Sequence, residues 1–248
     1  MKIKLQLLSR RVALVRLFAA VFLVVPGFVL ADAPAQLPVR VACVGDSITY
    51  GAGIKDRKND SYPACLGRWL GSGYDVRNFG RSGATLLAKG DLPYIKQPQY
   101  TNALAFKPDI IVIILGTNDS KHPGTGNAAT NNFANNWQYK ADYVPDYEAL
   151  ITAFREANPA AKIWVCCPPP SFPGRWGISD ETIRDEITPL VYQVAAQTNV
   201  KVINLYSALS GRKEMFPDTV HPNPTGAKFM AGVIYKGIIG KAPPATTL

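Results

Sequence analysis

Asp218 and His221 stand three residues apart in "PDTVHPNPTG", in a chain of 248 residues with only two histidines. Histidine is the side chain best suited by its ordinary pKa to move protons near neutrality. A serine hydroxyl attacks a carbonyl only when a base takes its proton. A carboxylate behind that base then fixes the imidazole tautomer and steadies the imidazolium. Asp218 and His221 supply base and carboxylate from one loop, and Ser47, in "GDSITYG", is the candidate nucleophile. The charge that develops on an attacked carbonyl oxygen also needs donors aimed at it. The backbone N–H groups of Ser47 and of Gly83 in "NFGRSGAT", with the side-chain amide of Asn118 in "GTND", are the candidates. Gly83 suits that role because a residue without Cβ lets backbone approach a ligand closely.

Each fragment has a plainer reading. Gly-Asp-Ser is common turn chemistry, "GTND" could cap a helix through Asn118 or Asp119, and Asp-x-x-His could be a surface pair. Their occurrence together, each at the end of an expected strand, is what points to a site. His122, in "GTNDSKHPG", has no obvious carboxylate partner. It reads as solvated or substrate-contacting and not as the base.

Residues so far apart need a fold that gathers them. Continuous apolar runs occur at "VRVACVG" (39–45), "DIIVIILG" (109–116), "KIWVCCP" (162–168) and "VKVINL" (200–205), with a weaker "YDVRNF" at 74–79. Hydrophobicity on both faces over such lengths marks strands buried in a parallel sheet. Helical patterns separate them: "SYPACLGRWLG", "YTNALAF", "YEALITAFREAN", "ETIRDEITPLVYQVAAQ" and "PTGAKFMAGVIYKGII". This alternation predicts a three-layer α/β/α domain, flavodoxin-like, on a five-stranded parallel sheet with right-handed crossovers. Ligands of such sheets bind beyond the carboxyl ends of the strands. Ser47, Gly83, Asn118 and the 218–221 loop all fall there. Pro222 and Pro224 would stiffen that loop, Pro224 in the first turn of the closing helix. One long irregular stretch, 119–144, interrupts the alternation, and a connection of that length commonly carries function or moves.

The formal charge of +9 has a local origin. Lys2, Lys4, Arg10, Arg11 and Arg16 all precede residue 31, where no Asp or Glu occurs, and without them the charge is +4. That balance excludes the basic stripe a nucleic-acid binder needs. The five cations instead lead into "LFAAVFLVVPGFVLA", an apolar run ending in small residues. The pattern predicts a signal peptide over residues 1–31, cut after Ala31, and an exported, periplasmic or secreted domain over 32–248. The run is too short, and too broken by Pro26-Gly27, for a spanning anchor, so no stable membrane anchor is expected after cleavage. Cys43, Cys65, Cys166 and Cys167 lack metal-ligand spacing with a nearby histidine and read as buried thiols ahead of a disulfide. No metal site and no oligomeric state follows from the sequence.

The blocks "GDSITYG", "NFGRSGAT", "GTND" and "DTVH", in that order between residues 39 and 240, resemble those of the SGNH hydrolases, the GDSL-type esterase/lipase superfamily. The resemblance implies Ser47 as nucleophile, Gly83 and Asn118 as oxyanion donors, Asp218 and His221 as the remaining pair, and no cofactor. Within the superfamily, "GDSITYGAG", "NFGRSGATLL", "LGTNDSK" and "FPDTVHPNPTGA" are most similar to bacterial exported sialate O-acetylesterase-like proteins and carbohydrate acetylesterases. An acylated carbohydrate, most simply an acetylated one, is the implied substrate. A lysophospholipase or thioesterase of the same fold, and a carbohydrate-binding relative without catalysis, are the alternatives. After "GTNDSK" such proteins proceed quickly to an aromatic segment; here "HPGTGNAATNNFA" intervenes, an insertion over 121–136. The stretch "NNFANNWQYK", which runs out of it, carries Phe133, Trp137 and Tyr139 among asparagines. Trp137 and Tyr139 are expected either to wall a sugar subsite or to pin the loop to the domain.

Overall fold

The computed structural model describes residues 37–122, 134–172 and 175–245. Five strands form its sheet: β1 (Val39–Gly45), β2 (Tyr74–Gly80), β3 (Ile110–Ile114), β4 (Lys162–Cys167) and β5 (Lys201–Asn204). They lie in the order β2-β1-β3-β4-β5, and every pair is parallel. The chain therefore starts in the middle of the sheet, crosses to one edge, then returns and builds outward to the other. All the strand ends that bear candidate residues consequently point to one rim.

Alternation along the buried strands separates two cores, as the pleat requires. Ala42, Val44, Ile111, Ile113 and Val165 face one layer; Val41, Cys43, Val112, Ile114 and Cys166 face the other. The first layer is built by α4 (Pro98–Ala105), α5 (Tyr143–Ala157) and α7 (Thr188–Thr198), which contribute Ala103, Tyr147, Phe154 and Val191. The second is built by α3 (Tyr62–Leu70), α8 (Leu205–Leu209) and α9 (Pro224–Ile239), with Leu66, Leu209, Met230 and Ile234 inside. Three short helices complete the set: α1 (Ser47–Tyr50), α2 (Arg57–Asp60) and α6 (Asp180–Thr182). Two interlocking apolar faces on a parallel sheet give the expected α/β/α architecture.

The weak pattern of β2 has a physical reason. It is an edge strand with only its last two residues buried, and Arg77 and Asp75 pair on it at 2.7 Å. Charges on an edge also discourage pairing with another sheet. The helical pattern expected over 181–197 is interrupted: residues Ile183–Ile187 form a π-helical segment between α6 and α7. The leader expected over 1–31, most of the 121–136 insertion and Phe133 lie outside the described residues. Among the described residues, no helix is long and apolar enough to cross a membrane.

Candidate active site

Ser47 opens α1 directly after β1, and Asp46 caps that helix by accepting the Ile48 N–H at 2.9 Å. So short a helix fits here because glycine ends both neighbouring strands. Gly45 and Gly80 are partners in the β1–β2 register. A Cβ on Gly80 would lie 2.2 Å from the Tyr50 nitrogen, so α1 rests on bare backbone. Ser47 is thereby held near the rim with its hydroxyl toward the last loop.

From that loop His221 completes an unbroken chain. His221 Nε2 lies 2.8 Å from Ser47 Oγ, and His221 Nδ1 lies 2.7 Å from Asp218 Oδ2. The second carboxylate oxygen, Asp218 Oδ1, accepts the backbone N–H groups of Val220 at 3.0 Å and His221 at 2.7 Å. Burial alone would raise the Asp218 carboxyl; the backbone and ring of His221 and the Val220 N–H hold it below its ordinary value. The carboxylate is thus kept charged where it faces the imidazole. Between the two partners, Thr219 has φ +75°. A β-branched residue in that region stores roughly 1–3 kcal/mol of strain, which persists only where surroundings impose it. Here the Asp218 side chain ties one end of the turn, and the Thr219 carbonyl accepts the Phe172 N–H at 2.7 Å. Asn223 then caps α9 through the Gly226 N–H at 2.9 Å, with Pro224 at the expected first position.

The candidate oxyanion donors meet on the other side of Ser47. Gly83 has φ +83°, a conformation glycine adopts without strain. Among the described residues, neither its N–H nor that of Ser47 finds an acceptor in the protein. Asn118, buried, donates to the Ala84 carbonyl at 3.1 Å and leans on Asp46 Oδ2 at 3.5 Å. Asp119 does not cap a helix: its carboxylate accepts the Leu86 and Leu87 N–H groups at 3.0 and 2.8 Å. It fastens the loop after β2 to the end of β3, and so fixes Gly83 relative to Asn118. Burial raises both acids, Asp46 to about 7 and Asp119 to about 6.

Ser47, Gly83, Asn118 and His221 line one cleft of about 280 Å³, together with Lys121, Trp176 and Ile178. Sequence reasoning missed Trp176. Its ring lies 5.3 Å from the His221 imidazole at 51°, it is 38% exposed, and its φ is +54°. The signal was available: "PPPSFPGRWG" follows the carboxyl end of β4, the one central strand end left without a candidate residue. His122 donates its N–H to the Gly177 carbonyl at 3.4 Å, beside that loop, and does not line the cleft.

The expectation for Trp137 and Tyr139 needs correction. Trp137 is 6% exposed and packs edge-on against Tyr143 with centroids 5.7 Å apart, while Tyr139 packs against the same core. Neither lines the cleft. The segment instead supports it from behind. Asn136 donates to the Asn118 carbonyl and to Asp91 Oδ1, both at 2.9 Å, and the Trp137 N–H reaches the Lys121 carbonyl at 3.1 Å. Large aromatic area is more stabilising in a core than on a rim, and that alternative prevails here.

Residues 43–229 match the family described as GDSL-like lipase/acylhydrolase. An acetylxylan esterase from Xylanibacter ruminicola is 42% identical over 224 residues, taking in 83% of this chain and 44% of that protein. The chain thus spans less than half the length of that relative. Among solved structures, a carbohydrate acetylesterase from Sinorhizobium meliloti superposes with a TM-score of 0.62 at 20% identity, over 82% of this chain and 99% of the other. A lipase/acylhydrolase from Enterococcus faecalis gives 0.63 at 22% identity, over 84% and 100%. At these identities the likeness to the solved structures is one of fold.

Proposed function

The chain belongs to the GDSL-like lipase/acylhydrolase family, and on that premise we propose that it is an exported serine esterase removing acetyl groups from carbohydrate hydroxyls. The observation that carries this reading is the chain of 2.7 and 2.8 Å contacts from Asp218 through His221 to Ser47. Ser47 Oγ attacks the ester carbonyl as its proton passes to His221 Nε2. The tetrahedral oxyanion is held by the N–H groups of Ser47 and Gly83 and by the Asn118 amide. Collapse breaks the bond to the sugar oxygen, which takes the proton from His221 and leaves an acetyl-Ser47 ester. A water molecule then gives a proton to His221 and adds to that ester. The second collapse releases acetate and returns the proton to Ser47. Asp218 fixes the imidazole and faces its transient charge throughout. None of these steps calls on a metal or an organic cofactor.

Cleft size supports a short acyl group. About 280 Å³ lies at the low end of ligand pockets, which suits an acetyl group better than the long chain of a lysophospholipase substrate. The acetylxylan esterase relative supports a carbohydrate as the alcohol part, and Trp176 offers its exposed ring for the apolar face of a sugar. On this reading residues 1–31 are the export signal and 32–248 the catalytic domain. The test is acetate release from an acetylated xylo-oligosaccharide, compared with release of longer acids from matched esters. Turnover should fall steeply beyond acetate; equal or better turnover of long acyl chains would overturn the assignment.

A further inference from the structure

Beside the cleft runs a groove of about 650 Å³ whose character is different. Lys55, Arg57 and Lys58 line it, against one carboxylate, Asp56, which is already engaged by the Asn59 side-chain amide at 2.7 Å. All three cations are exposed and, among the described residues, none is in an ion pair. The Arg57 guanidinium is nonetheless positioned, 3.9 Å above the Tyr50 ring. A stacked guanidinium keeps its in-plane donors free for a carboxylate.

Two segments of chain run from the groove to the cleft. Tyr50 lines the groove and Ala52 the cleft; Gly80 lines the groove and Ser82 the cleft. Arg81 stands between the latter two, its guanidinium donating to the Ser82 carbonyl at 3.1 Å and bearing no carboxylate partner among the described residues. Ser47 and Tyr50 are three apart on α1 and so share one side of it. A glycan whose acetyl ester lies against Ser47 can therefore extend past Tyr50, over whose ring Arg57 is stacked.

We propose that this groove binds a carboxylate-bearing sugar unit of the glycan whose neighbouring unit carries the acetyl ester, so that the substrate is an acidic acetylated polysaccharide. The proposal rests on the esterase reading given above, and it extends that reading from reaction to substrate class. Cations gathered along a groove raise the local concentration of an anionic ligand and speed its capture, an effect that falls with ionic strength.

The test uses binding, which needs no turnover. The Ser47→Ala protein is titrated with a uronic-acid-bearing oligosaccharide and with the same oligosaccharide after its carboxyl group is reduced to an alcohol. The acidic form should bind about tenfold more tightly at low salt, with the advantage shrinking at high salt. The advantage should vanish when Lys55→Gln, Arg57→Gln and Lys58→Gln are added. It should survive Lys107→Gln, Lys162→Gln and Lys201→Gln, which remove as much charge at the opposite end of the sheet. Equal binding of the two oligosaccharides, or equal loss in both triple variants, would overturn the groove. Acetate release by the wild-type protein without any carboxylate preference would leave the esterase reading standing and remove this one. A carboxylate preference without acetate release would leave the groove as an acidic-sugar site and remove the esterase reading, and with it the acetylated substrate.

Discussion

At the scale of the residue, the site is a set of groups each held by a second partner. Asp218 binds the imidazole with one oxygen and its own turn with the other. Asn118 is held by Ala84 on its side chain and by Asn136 on its carbonyl. Its amide gains strength only as charge develops on the substrate oxygen, so its loss should be felt in the transition state. Asn118→Ala is expected to lower kcat by roughly 10²–10³ with little change in KM. A raised KM at unchanged kcat, in steady-state kinetics on an aryl acetate, would make it a binding residue instead. The residues of this chain were legible in the sequence because each carries a distinctive type at a strand end. For Trp176 only the loop was marked, by its place after β4; nothing about a lone tryptophan in a proline-rich loop tells which way its backbone turns. Trp137 misled for the complementary reason: surrounding asparagines suggested a wet wall, yet Asn136 spends its amide on the protein itself.

At the scale of the element, α1 decides the geometry. It rests on Gly80, where an added Cβ would meet backbone atoms at 2.2 to 2.7 Å. Backbone cannot swing aside as a side chain does, so Gly80→Ala must push α1, and Ser47 with it, away from His221. Overpacking of this kind is expected to cost about 3 kcal/mol and to lower kcat well beyond what lost folded protein explains. Urea unfolding and active-site titration on the same sample check both parts; a variant of normal stability and turnover would mean that α1 is free to shift. Strands were the most legible elements, because β1, β3 and β4 are apolar on both faces. The π-helical segment at Ile183–Ile187 was invisible, since its apolar spacing matches that of an ordinary helix.

At the scale of the whole molecule, the fold buries acids for the benefit of the site, and pH should reveal the cost. Asp46 is raised by burial from 3.8 to about 7. Between those values the folded protein holds a proton that the unfolded chain has released, so stability falls as pH rises from about 4 to about 7. Asp218 works in the opposite sense: its depressed carboxyl contributes stability above the ordinary carboxylate range that is lost as pH falls through its folded pKa. Asp46→Asn removes the first effect only. Its melting temperature should gain on that of the wild type as pH goes from about 5 to about 8; parallel curves would show that Asp46 does not titrate there. The four thiols, all free and buried, belong to the same scale. They pack the layers between strands and helices, as their apolar sequence neighbours implied.

The central claim is that Ser47 and His221 act as one unit, and a double-mutant cycle in kcat tests it most directly. Groups that share a single proton transfer are non-additive: once one is gone, the other has nothing left to do. Ser47→Ala and His221→Ala should each lower kcat for an acetyl ester by on the order of 10⁵, and the double variant should be no worse than either alone. Losses that multiply in the double variant, or near-normal turnover in Ser47→Ala, would contradict the account.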